Sequence, residues 1–272
     1  LVYSTYMGGA GDDYGYAIDL DGANNAYMTG SIGSSTFPVP ATLQRTTRHG
    51  LSDGFLMKIS STGDELLDRE FIGGYIRETG YGIAVDGSGN SYIAGLTYSP
   101  DFPVTVDAFQ PTWGGNSDGF VTKIAPSGDP FVYSTYLGGT EIDNCRAIDI
   151  DSEGYAYVTG QSQKSTFGTN FPTTPDAFKP VNPGGISSYY TRIDPSGSTL
   201  AYSTFITGLR LDEGRGISVT PSGSVYITGI TKNTHLETIN AIQPTYGGDP
   251  EDAFVAKFRS EEHTSELQSR IT

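Results

Sequence analysis

Four acidic residues stand at one recurring place in this 272-residue chain. Asp13, Glu78, Asp143 and Asp212 each fall four residues after the last glycine of a corner that reads MGG, IGG, LGG or ITG. Carboxylates brought together around an axis could hold a cation such as Ca²⁺, which takes roughly six to eight oxygen ligands. Asp12, Glu141 and Glu213 lie close by and add to the negative charge. The other role is architectural: each carboxylate accepts backbone N–H groups or a tyrosine hydroxyl and pins one repeat to the next. Recurrence favours the second role, because a residue repeated with the unit ordinarily serves the unit. It also removes Asp12 and Asp13 as a catalytic acid–base pair, since only Asp13 recurs.

Other residues with chemical potential are fewer. DLDG at 19–22 and DIDSEG at 149–154 space their aspartates like the start of a calcium loop. Such a loop needs a carboxylate at its twelfth position, where Gly30 and Gly160 stand. Ala84 and Ser218 replace the first aspartate in the other two units, so these are read as Asp-capped turns. Trp113 and Tyr246 occupy matching PTWGG and PTYGG segments. They could stack on a sugar ring or anchor a partner, but packing of their own loops is favoured, since Thr47 and Asn182 replace them elsewhere. His49 and His235 are not at equivalent positions and do not form a ligand pair. Cys145, the one cysteine, excludes an internal disulfide framework and reads as a small buried residue. The chain has no GxSxG elbow, phosphate-binding loop or GxGxxG turn.

The elements that carry these residues follow from a long internal repeat. The corner glycines Gly9, Gly74, Gly139 and Gly208 are 65, 65 and 69 residues apart. Nine residues after each stands Ile18, Ile83, Ile148 or Ile217, and nine further on Tyr27, Tyr92, Tyr157 or Tyr226. Three more residues lead to Gly30, Gly95, Gly160 or Gly229. In the second unit, YGIAVD and SYIAGLT are joined by the turn GSGN, and DGFVTKI and FVYSTYLGG by APSGD. Alternation of large and small residues, such as Ile83 and Val85 against Gly82 and Ala84, predicts strands whose faces interdigitate with neighbouring sheets. Four strands per unit predict an all-β chain, a β-propeller of four-stranded antiparallel blades with four blades' worth of sequence. A β-solenoid is the weaker alternative, for its coils are shorter and lack hairpins. Units are expected at about 10–74, 75–139, 140–208 and 209–258, with the N-terminal segment 1–9 as an outer strand that could complete the last blade.

YSTYLGG, VDGSGNSYIAG, DFPVT..AFQP and DGFVTKI together resemble the SBBP repeat, a seven-bladed β-propeller repeat of bacteria, over residues 1–258. The resemblance implies an extracellular or cell-surface propeller, often part of a larger multidomain protein, and implies no particular activity. LLDREFIGG, SSYYTRI and THLET depart from the pattern.

Residues 259–272 break the repeat. RSEEHTSELQSR looks like the in-frame translation of a sequencing adapter, so Phe258 is expected to be about the last native residue. The net charge of −15 disfavours nucleic acid, whose phosphates require clustered Lys and Arg. Short, Gly-broken apolar runs disfavour membrane insertion. Lys58, Lys123, Arg192 and Lys257 recur in the third strands and read as solvated or inter-blade partners. The expectation is a non-catalytic surface scaffold or binding module for a protein or polysaccharide, bound on the face with the long loops. A calcium-stabilised structural domain is one alternative. A hydrolase or lyase is another, although no unique His, Arg or Tyr cluster is visible in the linear pattern.

Overall fold

A computed structural model describes residues 1–35, 48–127, 131–166, 170–206, 210–234, 236–248 and 250–259. His235, Thr47, Gly208 and the tail from 260 onward lie outside the described residues. The strands form four antiparallel sheets, each in chain order. The first comprises β1 (Asp13–Leu20), β2 (Ala26–Ile32), β3 (Asp53–Ile59) and β4 (Leu66–Ile72). The second comprises β5 (Glu78–Val85), β6 (Ser91–Thr97), β7 (Asp118–Ile124) and β8 (Phe131–Leu137). The third comprises β9 (Asp143–Ile150), β10 (Ala156–Gln163), β11 (Ile186–Ile193) and β12 (Leu200–Phe205). The fourth has three strands, β13 (Asp212–Val219), β14 (Val225–Thr231) and β15 (Asp252–Phe258). The sheets span residues 13–72, 78–137, 143–205 and 212–258. Among the described residues no helix is long and apolar enough to cross a membrane.

The aspartates of DLDG and DIDSEG cap hairpins. Asp21 accepts the N–H groups of Ala23 and Asn25, both at 2.9 Å, and Asp151 those of Glu153 and Tyr155. The side chain thus substitutes for the missing backbone partner within the turn. The preceding aspartates act between sheets: Asp19 accepts the N–H of Val85 and Asp149 that of Val219, each at 2.7 Å.

Apolar packing joins consecutive sheets. Ile83 of the second sheet packs with Tyr27 and Leu56 of the first. Ile148 of the third packs with Tyr92 and Val121 of the second. Ile217 of the fourth packs against Tyr157 and Tyr190 of the third. The large faces of β5, β9 and β13 therefore bed onto the preceding sheet, as the alternation predicts. Burying one such isoleucine contributes about 2 kcal/mol. The recurrent cations stay within their own sheets: Lys58 and Lys123 each lie 4.8 Å from the ring centres of their cross-strand partners Tyr27 and Tyr92. Lys58 also pairs with Asp21 at 3.2 Å, and Arg192 with Asp151 at 3.6 Å.

The N-terminal segment departs from expectation. It is not paired as a strand and does not complete the fourth sheet. Tyr3 instead lies against Gly63 in the β3–β4 turn, where an added Cβ would strike its ring. Tyr133 of β8 lies against Gly197 in the β11–β12 turn in the same way. The segment thus runs beside the first sheet as an outer strand of a preceding blade would. Among the described residues it makes no ladder with any strand.

Candidate functional site

The four recurrent acids serve their own corners. Asp13 accepts the N–H of Gly9 at 2.8 Å and those of Gly33 and Ser34 at 3.1 Å. Glu78 accepts the N–H of Gly74 at 3.0 Å and the hydroxyl of Thr97 at 2.8 Å. Asp143 accepts the N–H of Gly139 at 2.6 Å, and Asp212 faces the amide of Asn233 at 3.5 Å. The same residues tie sheets together through the backbone: the N–H of Glu78 donates to Ser52 and that of Asp143 to Ser117, each at 2.9 Å. Among the described residues no group of three or more His, Cys, Asp or Glu side chains is placed to hold a metal ion.

Their environments differ. Burial draws the pKa of Asp13 upward, but the Ser34 hydroxyl and the N–H groups of Gly9, Ser34 and Gly33 outweigh it and hold the carboxyl below 3.8. Burial pushes Glu78 up to about 7 and Asp143 up to about 6, past what their hydrogen bonds restore. Asp118, at the start of β7, is fully buried. Its Oδ2 accepts from Gly114 at 2.8 Å and Gln110 at 2.9 Å, while its Oδ1 has no hydrogen-bond partner. Burial first, then the charge of nearby Asp143, raise it to about 7.

Trp113 is half-buried and packs against the core between the first two sheets. Tyr246 is also half-buried. Cys145 is fully buried, with Tyr189 donating its hydroxyl to the sulfur at 3.2 Å. Burial pushes the thiol up to about 12.

A different set of side chains converges at the centre of the array. Each inner strand carries one extra residue relative to its partner: Tyr16 between Gly15 and Ala17, and Tyr81 between Gly80 and Gly82. Arg146 between Cys145 and Ala147, and Arg215 between Gly214 and Gly216, do the same in the other two. A β-bulge kinks its strand and re-aims the extra side chain. Here the four bulged residues, with Glu213, line one cleft of about 280 Å³. The bulge depends on the recurrent glycine of the second strand: a Cβ at Gly30, Gly95, Gly160 or Gly229 would strike the carbonyl oxygen of Tyr14, Thr79, Asn144 or Glu213.

The cleft is fixed by charge. Glu213, nearly buried, accepts from Arg146 Nε at 2.6 Å through Oε1 and from Arg215 Nε at 3.0 Å through Oε2. The Arg146 guanidinium lies 4.2 Å from the Tyr81 ring centre, a cation–π contact. Tyr81 in turn meets Tyr16 edge to face at 5.3 Å. Tyr16 and Arg215 are exposed; the Arg215 side chain keeps 56% of its surface open. Two aromatic rings and a partly free guanidinium around a fixed carboxylate are groups that hold polar ring-shaped or carboxylate-bearing ligands. This is the Arg and Tyr cluster that the linear pattern did not reveal. Aligning the position seven residues after each corner glycine, which reads Tyr, Tyr, Arg, Arg, would have found it.

Three four-stranded antiparallel sheets and one of three strands, each with a bulged inner strand, define the chain as an all-β protein with propeller repeats. Residues 2–38, 71–103 and 132–169 match the SBBP family of beta-propeller repeats. Each match begins near an outer strand or its corner, crosses that corner, and takes in the first two strands of the next sheet. A crystal structure of a protein of unknown function from Dyadobacter fermentans DSM 18053 is similar at 11% identity and a TM-score of 0.46. The similarity covers 86% of this chain and 60% of that one, so the chain spans about three fifths of its length. No curated protein matches the chain.

Proposed function

We propose that this chain is a non-catalytic binding module that engages a polysaccharide at the central cleft, as part of a protein exported to the bacterial cell surface. The observation that carries this reading is the bulge set Tyr16, Tyr81, Arg146 and Arg215 around Glu213. Aromatic faces present apolar area to the C–H face of a sugar while their hydroxyls stay wet. A guanidinium takes a carboxylate or paired hydroxyls in a fixed fork. A binding role suits the cluster better than hydrolysis, because both oxygens of its one carboxylate already accept from arginines. The chain's net charge of −15 disfavours a densely anionic polymer and favours neutral or sparsely acidic glycans. The surface location rests on the family resemblance.

The test is a glycan array probed with the whole chain, followed by titration of the best oligosaccharide. Arg215→Ala and Tyr16→Ala, both at exposed positions, are expected to weaken binding at least tenfold with unchanged circular dichroism. Binding that survives both substitutions, or no binding to any glycan, would refute the proposal.

A further inference from the structure

Glu213 holds two guanidinium groups side by side, each by its Nε atom. Among the described residues neither Arg146 nor Arg215 pairs with a second carboxylate. Two guanidinium charges and one carboxylate leave the lining of the cleft at +1, in a chain that carries −15. Like charges held this close repel, and one shared carboxylate offsets only part of that repulsion. A second anion opposite Glu213 would offset the rest.

The two arginines are used differently. Arg146 lies on the Tyr81 ring and also meets the Tyr81 hydroxyl. Arg215 spends only its Nε, on Glu213, and among the described residues its two Nη atoms have no protein acceptor. Those atoms form a planar fork whose spacing matches the two oxygens of a carboxylate. Beside the fork stand Tyr81 and Tyr16, with Tyr98, 41% exposed, as a further ring near Tyr81. Strands β5 and β9, which carry Tyr81 and Arg146, each pack against an inner strand on both sides. This wall of the cleft is therefore built from interior sheets of the array.

We propose, building on the glycan reading of this cleft, that its ligand is a glycan bearing a uronate. The carboxylate of one hexuronic acid residue docks on the Nη atoms of Arg215, opposite Glu213, and the sugar ring lies against Tyr16 and Tyr81. A pair of hydroxyls would fill the same fork but would bring no charge to offset the excess. A polymer with an anion on every sugar would be repelled by the rest of the chain, so one uronate among neutral sugars fits best.

The experiment is equilibrium titration of the whole chain with two matched sets of tetrasaccharides. One set holds a single glucuronate or galacturonate residue, and the other is the same set with that carboxyl reduced to the alcohol. Wild type is expected to bind a uronate form about tenfold or more tighter than its reduced twin, as a charge-assisted hydrogen bond warrants. High salt should narrow the gap. Arg215→Ala should abolish the preference, and Arg215→Lys should recover only part of it. Tyr16→Ala should weaken both forms alike and keep the preference, which places the coupling between guanidinium and carboxyl. Equal binding of both forms would overturn the inference and leave the glycan reading standing. A preference that survives Arg215→Ala, or tighter binding of a sulfated neutral tetrasaccharide, would overturn it as well. Failure to bind any glycan would overturn both.

Discussion

Asp118 offers a direct test of how burial acts in this array. Its carboxyl has no exposed surface, one oxygen with two donors and one with none, and Asp143 for a neighbour. The unfolded chain titrates this group near 3.8 and the folded chain near 7. Between those values the folded state holds a proton that the unfolded state has lost, so stability falls as pH rises through this window. Each tenfold difference in acidity is worth about 1.4 kcal/mol, so the ionised group destabilises the folded state by about 4 kcal/mol above pH 7. Below about pH 3 the group is protonated in both states and the effect vanishes. Asp118→Asn keeps the acceptor for Gly114 and Gln110 and cannot ionise. Urea unfolding of both proteins from pH 4 to 8 reports this group together with its coupling to Asp143, while titrations remote from it cancel in the difference. The variant is expected to gain on the wild type steadily with pH, by about 4 kcal/mol over the range. A stability difference that does not change between pH 4 and 8 would refute the reasoning.

Gly95→Ala drives a methyl into the Thr79 carbonyl where the β5 bulge forms, and is expected to lower stability by about 2 kcal/mol or more in urea melts. It should also weaken any ligand bound near Tyr81, which that bulge aims. Cys145, buried and with its thiol pushed up to about 12, is expected to resist Ellman's reagent at pH 8 in the native protein and to react at once in denaturant. Rapid native labelling would show that the region between the second and third sheets opens.

How much was legible follows from which interactions are local. The hairpins, the Asp-capped turns and the four-strand units depend on neighbours in the chain, and spacing exposes them. Asp13 and Glu78 were legible as corner residues because each bonds the glycine four residues before it. The VYSTY segment was legible as an outer strand by its likeness to β8, but its lack of a ladder partner was not, since pairing depends on what lies alongside.

The amino-acid sequence alone determined the period, the strand count and the alternation that beds each inner strand on the sheet before it. Those are set by residue size, turn chemistry and repetition. Tertiary structure alone decided which residues meet. A bulge adds one residue to one strand and turns Tyr16, Tyr81, Arg146 and Arg215 toward a common centre. Sequence period treats those positions as ordinary members of an alternating strand. Their convergence arises from the packing of four separate sheets, which brings together residues as far apart as Tyr16 and Arg215.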